Sequence, residues 1–454
     1  MHPVLLEVPL PHWGIPLGLA FSLVAIAGAA VAVVGWRART TDLLALGSGL
    51  GVAAGAAAWA LRGDVYTVGS LPLSSYGVSV CVALVAGWYL TLGLGQRDGL
   101  PPKTTANCYV VAVISGLLLA RFSDATFGWD EQSSWREMFD LRRGGLLAYG
   151  GCLGGAAAMF ALLRIRGLPF LPWADVCAPS LALGISIGRV GSYLLGSAYG
   201  LPLGDQAPQW LRRLGTFPRW GEDVLQGAGA PAWIEQVSDG MLSFDSATSL
   251  PVHPTQLYEA VGAATILAAA VAIRQRQTFR GQVFLAFAFA FGCLRVCVDS
   301  LRGDPERIPI GPHFAQHHVA ALALLGLGAA FVFGPSQSIR SRTVRSVARA
   351  ACMLPAVLIP WLLRPEPYTT PPAVQLTVSQ WLGMLTAVAA AACWGVLAGA
   401  ARAHPGAAMA IELGPADGDD PNDRAESSDP DRHGCTGDSA EADDPRALRG
   451  DRSA

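Results

Sequence analysis

Residues 173–195 read WADVCAPSLALGISIGRVGSYLL, an apolar run whose only charges are Asp175 and Arg189. A helix needs about 20 apolar residues to cross about 30 Å of hydrocarbon, and this run has that length. Further apolar blocks flank it near 15–35, 43–61, 74–95, 106–120, 145–163, 257–273, 281–299, 315–334, 351–363 and 380–400, most of them separated by short charged loops. A membrane barrel would need strands of about ten residues with alternating polarity. That alternation is absent, so helices must do the spanning. The expected fold class is all-α, a polytopic transmembrane helix bundle. Composition agrees: 52 % of the 454 residues are apolar, 15 % are charged, and the mean hydropathy is +0.38. Soluble domains carry about 25 % charged residues. Disordered, collagen-like and disulfide-rich secreted classes are excluded together.

The net charge of -2 conceals an asymmetry. Residues 411–454 hold thirteen acids and five arginines, a sum of -8, which leaves +6 on the rest. This tail is rich in Asp, Gly, Ser and Pro and is expected to be disordered. Alternate loops (36–42, 96–105, 164–172, 274–280 and 335–350) carry thirteen basic and two acidic residues. The positive-inside rule assigns them to the cytoplasm. The opposite set contains two long loops, 121–144 and 199–252, which then face outward. The second, with Trp210, Trp220 and Trp233, is too long for a simple connector. It is expected to form a small extracytoplasmic head with its tryptophans at headgroup depth. Nine cysteines, none in a CxxC pair, read as small apolar packing residues.

Ionisable groups inside spans are costly and are functional candidates by default. Arg189 stands at the outer end of its helix among Gly184, Gly188, Gly191, Gly196 and Gly200. A guanidinium there suits a phosphate, which it grips with two parallel hydrogen bonds. The same pattern also suits a snorkelling arginine with glycines for helix packing. His253-Pro254-Thr255-Gln256-Leu257-Tyr258-Glu259 opens a second helix. His253 and Gln256 can hydrogen-bond, and Glu259, one turn further in, needs a partner. Arg295 and Asp299, spaced i,i+4, can pair on one helix face, with Arg302 one turn further out. These residues leave three classes open: lipid chemistry, a non-catalytic protein that binds an anionic lipid, and a transporter with buried charge pairs.

Taken in order, the segments resemble the bacterial prolipoprotein diacylglyceryl transferases. Ser75-Tyr76-Gly77 resembles the family's Tyr-Gly at its first span, and Gly144-Gly145-Leu146-Leu147-Ala148-Tyr149-Gly150-Gly151 its Gly-Gly…(His/Tyr)-Gly-Gly segment. Asp175, Ala178-Pro179 and Gly188-Arg189-Val190-Gly191, ending at Gly200, resemble its Asp…Ala-Pro…Gly-Arg-x-Gly stretch. The His253–Glu259 heptapeptide is similar to its His-Pro-(Ser/Thr)-Gln-Leu-Tyr-Glu motif. Arg295, Asp299 and Arg302 fit its Arg-x-x-x-(Glu/Asp)-x-x-Arg. Ser192, Leu195 and Ser197 stand where well-known members carry Asn, Asn and Glu.

The resemblance implies a seven-helix transferase core over 70–335, with the head at 199–252. Two extra N-terminal helices (1–69), a basic loop with one or two extra helices (336–402) and the acidic tail (403–454) lie outside it. The implied reaction moves the diacylglyceryl group of phosphatidylglycerol to the cysteine thiol of prolipoprotein signal peptides at the outer leaflet of the inner membrane. No cofactor, metal or nucleic acid is expected. Arg189 and Arg302 would stabilise the departing phosphate, and Tyr149 or His253 would take the thiol proton. Tyr76, Ser192, Gly200, Gln256, Tyr258, Glu259, Arg295 and Asp299 would line the substrate site.

Overall fold

The structure is a computed structural model and describes residues 4–37, 41–60, 65–127, 148–204, 206–219, 229–305, 307, 309–339, 341–362 and 373–411. The chain opens with β1 (Val4–Pro16), α1 (Leu17–Arg37), α2 (Thr41–Ala60) and β2 (Val65–Ser74). The antiparallel β1–β2 ladder departs from the purely helical expectation. Val65, Tyr66, Thr67 and Val68 favour extended backbone. Pro9, Pro11 and Pro16 cannot donate to a ladder, and the register slips between Pro9 and Trp13. α1 and α2 pack through Gly28, Gly47 and Gly51, where any Cβ at Gly28 or Gly47 would strike the other helix's backbone.

Six helices then occupy the expected blocks: α3 (Ser75–Arg97), α4 (Pro102–Phe127), α5 (Ala148–Ile165), α6 (Phe170–Leu195), α9 (Thr255–Arg274) and α10 (Gln282–Asp299). The head between α6 and α9 carries two short helices, α7 (Gln209–Leu214) and α8 (Pro231–Ser238). Past α10 come β3 (Phe314–Ala315), α11 (Gln316–Phe333), α12 (Arg342–Leu362), β4 (Ala373–Val374) and α13 (Val378–Ala403). Among the described residues, seven helices are long and apolar enough to cross a membrane: α3, α4, α6, α9, α10, α11 and α13. α5 is apolar but shorter over its described side chains.

Asp175 locks the end of the bundle opposite the head. Buried in α6, its carboxylate accepts hydrogen bonds from the Gly281 amide at 2.6 Å, the Phe284 amide at 2.9 Å and the Gln277 side chain. It therefore satisfies the first amides of α10, which no residue within that helix can reach. Trp173, Val176, Leu163, Leu94 and Leu100 form the core around it. Nearby, Asp98 binds Arg274 at 2.6 Å and Arg280 at 3.1 Å.

Three placements refine these expectations. First, α13, expected as an extra helix outside the 70–335 core, packs along α10. Gly292 faces Gly383 so closely that a Cβ on Gly383 would sit 3.0 Å from the Gly292 carbonyl oxygen. Small residues allow that approach. α11 packs chiefly against α12 and α13 and meets α10 through Phe331 and Phe289. Second, the tail was taken as disordered from 403, but residues 404–411 form turns, with the Arg280 amide donating to Ala408 O at 3.0 Å and Ile411 packed on the core. That stretch carries no acid and several apolar residues, so it can pack. The acidic remainder lies outside the described residues. Third, Trp233 is 2 % exposed inside the head rather than at an interface, donating to Ser246 O at 2.9 Å. Trp210 is exposed, and Trp220 lies outside the described residues. The cysteines are also mixed: Cys108 is buried, whereas Cys81, Cys152, Cys297 and Cys393 are exposed on helix surfaces.

Candidate active site

The site grows from the first turn of α9. Pro254 ends the preceding loop, and Thr255 donates to Ala198 O at 2.7 Å. The Gln256 amide nitrogen donates to Ser197 O at 2.6 Å. These bonds staple α9 to the loop leaving α6, where Gly196 takes φ 77° and Ala198 φ 55°. One turn further in, Glu259 is 2 % exposed and meets two arginines from different helices. Arg189 Nε of α6 lies 3.0 Å from Glu259 Oε2. Arg295 Nη1 of α10 lies 3.0 Å from Oε2 and 3.1 Å from Oε1. The carboxylate's missing partner is thus a pair of guanidiniums.

The ladder of charge continues toward the head. Arg295 also pairs with Asp299 at 3.5 Å, the expected i,i+4 contact. Arg302 Nη1 lies 3.6 Å from Asp299, and its other face grips Asp304 with two bonds, Nε to Oδ1 at 2.7 Å. Arg307 donates to Arg302 O at 2.8 Å and stands 3.9 Å from Asp299. Among the described residues, four arginines (189, 295, 302 and 307) face three carboxylates (259, 299 and 304), a balance of +1.

The other expected site residues divide. Tyr149 lies against the Arg295 guanidinium and donates to Ser379 O at 3.2 Å. Tyr76 is an electrostatic neighbour of Arg189, where α3 packs on Gly191. Gly200 forms an isolated bridge with Arg302 and is wedged between His253 and the Leu301 carbonyl, a gap that no Cβ would fit. His253 Nδ1 stands 3.2 Å from the Tyr258 hydroxyl. Burial lowers the His253 pKa from its usual 6.5, so the ring is neutral at pH 7. The Ser192 hydroxyl donates to Gly188 O of its own helix at 3.3 Å. Gln256 keeps Oε1 buried and without a hydrogen-bond partner among the described residues, an acceptor available to a ligand donor.

Sequence reasoning missed Arg307 and the first turn of α13. Ser379 Oγ accepts from Arg295 Nε at 3.2 Å and from its Nη2. Thr377 donates to Asp299. Gln380 Nε2 donates to Ser300 Oγ at 3.0 Å. The signal was present as Thr377-x-x-Gln380 before an apolar run, a capping box.

Fold and site together define a polytopic helical membrane protein with a buried, arginine-rich cluster of charge. The chain belongs to the prolipoprotein diacylglyceryl transferase family, whose sequence model matches residues 64–333. It is 30 % identical over 262 residues to the phosphatidylglycerol–prolipoprotein diacylglyceryl transferase of Symbiobacterium thermophilum, covering 57 % of this chain and 88 % of that one. It is 26 % identical to the enzyme of that name from Finegoldia magna (53 % and 83 % covered) and 27 % identical to that of Bacillus anthracis (54 % and 82 %). Family and helices together make it a multi-pass protein of the bacterial inner membrane.

Proposed function

We propose that this chain transfers the diacylglyceryl group of phosphatidylglycerol to the lipobox cysteine of prolipoproteins. The observation that carries the reading is the buried Arg189–Glu259–Arg295 cluster with Arg302 beyond it, on a family scaffold. The glycerol carbon–oxygen bond to phosphate breaks, a carbon–sulfur bond forms, and glycerol phosphate leaves with the electron pair. Its phosphate gains negative charge, which Arg189 and Arg302 stabilise in a site of low dielectric. The thiol, with a pKa of about 8.5, must lose its proton. His253, neutral at pH 7, accepts it, while Tyr149 hydrogen-bonds a reacting oxygen from the Arg295 side.

Thioether formation on a lipobox peptide, followed by mass spectrometry, tests the reading. Wild-type protein is expected to convert the peptide in phosphatidylglycerol vesicles, and Tyr149→Phe to lose most of that activity. The rate is expected to hold through the ordinary histidine pKa and to fall only at more acidic pH, because burial lowers the His253 pKa and the protonated ring cannot act as a base. An acid limb that persists in His253→Gln assigns the proton acceptor elsewhere. No thioether from the wild type sinks the reading.

The head and the site open toward the outer leaflet, and the arginine-rich loops face the cytoplasm. The charge asymmetry of the loops supports this orientation. Reporters fused after Gly167 and after Gly240 are expected to report opposite sides. The same side for both would overturn the arrangement.

A further inference from the structure

The first turn of α13 lies beyond residues 64–333, where the family match ends, yet its side chains reach the centre of the charge cluster. Resting on the phosphatidylglycerol reading above, we infer that Ser379 and Thr377 are positioning residues, which hold Arg295 and Asp299 so that Arg189 keeps charge for the lipid phosphate. Arg295 is buried and presents three nitrogens. Nε and Nη2 both donate to Ser379 Oγ, and Nη1 donates to both oxygens of Glu259. Ser379 thereby fixes the plane of the guanidinium that shares Glu259 with Arg189. Its own carbonyl accepts from Tyr149 at 3.2 Å, so one residue ties α5 and α10 to α13.

Thr377 does the same for Asp299. Its hydroxyl accepts from the Gln380 amide at 3.1 Å, as a helix cap, and its proton goes to Asp299 Oδ2. Asp299 is buried and serves Arg295, Arg302 and Arg307. Without Ser379, Arg295 turns toward Asp299 and releases Glu259. The freed carboxylate then closes on Arg189 and neutralises the cation that the phosphate needs.

The test compares the full chain in detergent with Ser379→Ala, Thr377→Ser and Thr377→Val. Binding of phosphatidylglycerol is read by native mass spectrometry, transfer by thioether formation, and folding by the thermal midpoint. A hydrogen bond to a buried charge sets the scale. Ser379→Ala is expected to bind the lipid about tenfold more weakly, to lose transfer by a similar factor, and to melt with the wild type. Thr377→Ser keeps the hydroxyl and binds as the wild type does; Thr377→Val loses it and binds weakly. A Ser379→Ala protein with wild-type lipid affinity overturns the inference, as does a loss of affinity that only follows a fallen midpoint. A wild type that binds the lipid and makes no thioether counts against the reaction alone. A wild type that binds no phosphatidylglycerol overturns both.

Discussion

Arg189→Lys is expected to lower the transfer rate about 100- to 1,000-fold while the protein stays folded. Arg189 is 19 % exposed and Glu259 only 2 %. The guanidinium therefore reaches the buried carboxylate through Nε while part of the Arg189 side chain stays exposed. Only a planar, forked cation can do both at once. A lysine offers one compact ammonium, which Glu259 would hold, leaving the phosphate without its bidentate partner. Burial is conserved in the exchange, so the thermal midpoint should move little. The measurement is initial rate of thioether formation beside a melting curve in the same detergent. A lysine variant within about threefold of wild type would show that charge alone suffices, contrary to the loss expected for a positioned donor.

Asp175→Ala is expected to destabilise the protein by about 3 kcal/mol or more without touching the site. Removing the carboxylate strands the Gly281 and Phe284 amides at the start of α10. Each buried donor left unpaired costs about 1–3 kcal/mol. Asp175→Asn keeps one acceptor oxygen and should recover part of the loss. Thermal or denaturant unfolding in detergent checks the order wild type, Asn, Ala. Three coincident melting curves would remove Asp175 from the account of how α10 is held.

Much of this was legible in the sequence because membrane insertion imposes length. The run 173–195, the blocks flanking it and the Arg295–Asp299 spacing each follow from local periodicity. What was not legible is contact between helices far apart in the chain. Glu259 announces that it needs a cation, but no local rule selects both Arg189 and Arg295 over Arg302. Ser379 lies 84 positions from Arg295 and looks like any residue of a first helical turn. The close approach of α13 to α10 turns on Gly292 meeting Gly383, a fit between two surfaces that neither displays alone. Trp233 shows the same limit: its aromatic ring suits an interface or a core, and the head that encloses it decides.

The detour through α11 and α12 also sets a schedule. About 100 residues separate Asp299 from the end of α13. At about 5–20 residues per second, a ribosome needs some 5–20 s to make them. During that interval α10 is already synthesised, while Arg295 and Asp299 still lack Ser379 and Thr377. The newborn chain therefore passes through a stage in which Arg295 and Asp299 wait for these two hydroxyls, and the arrival of α13 supplies them.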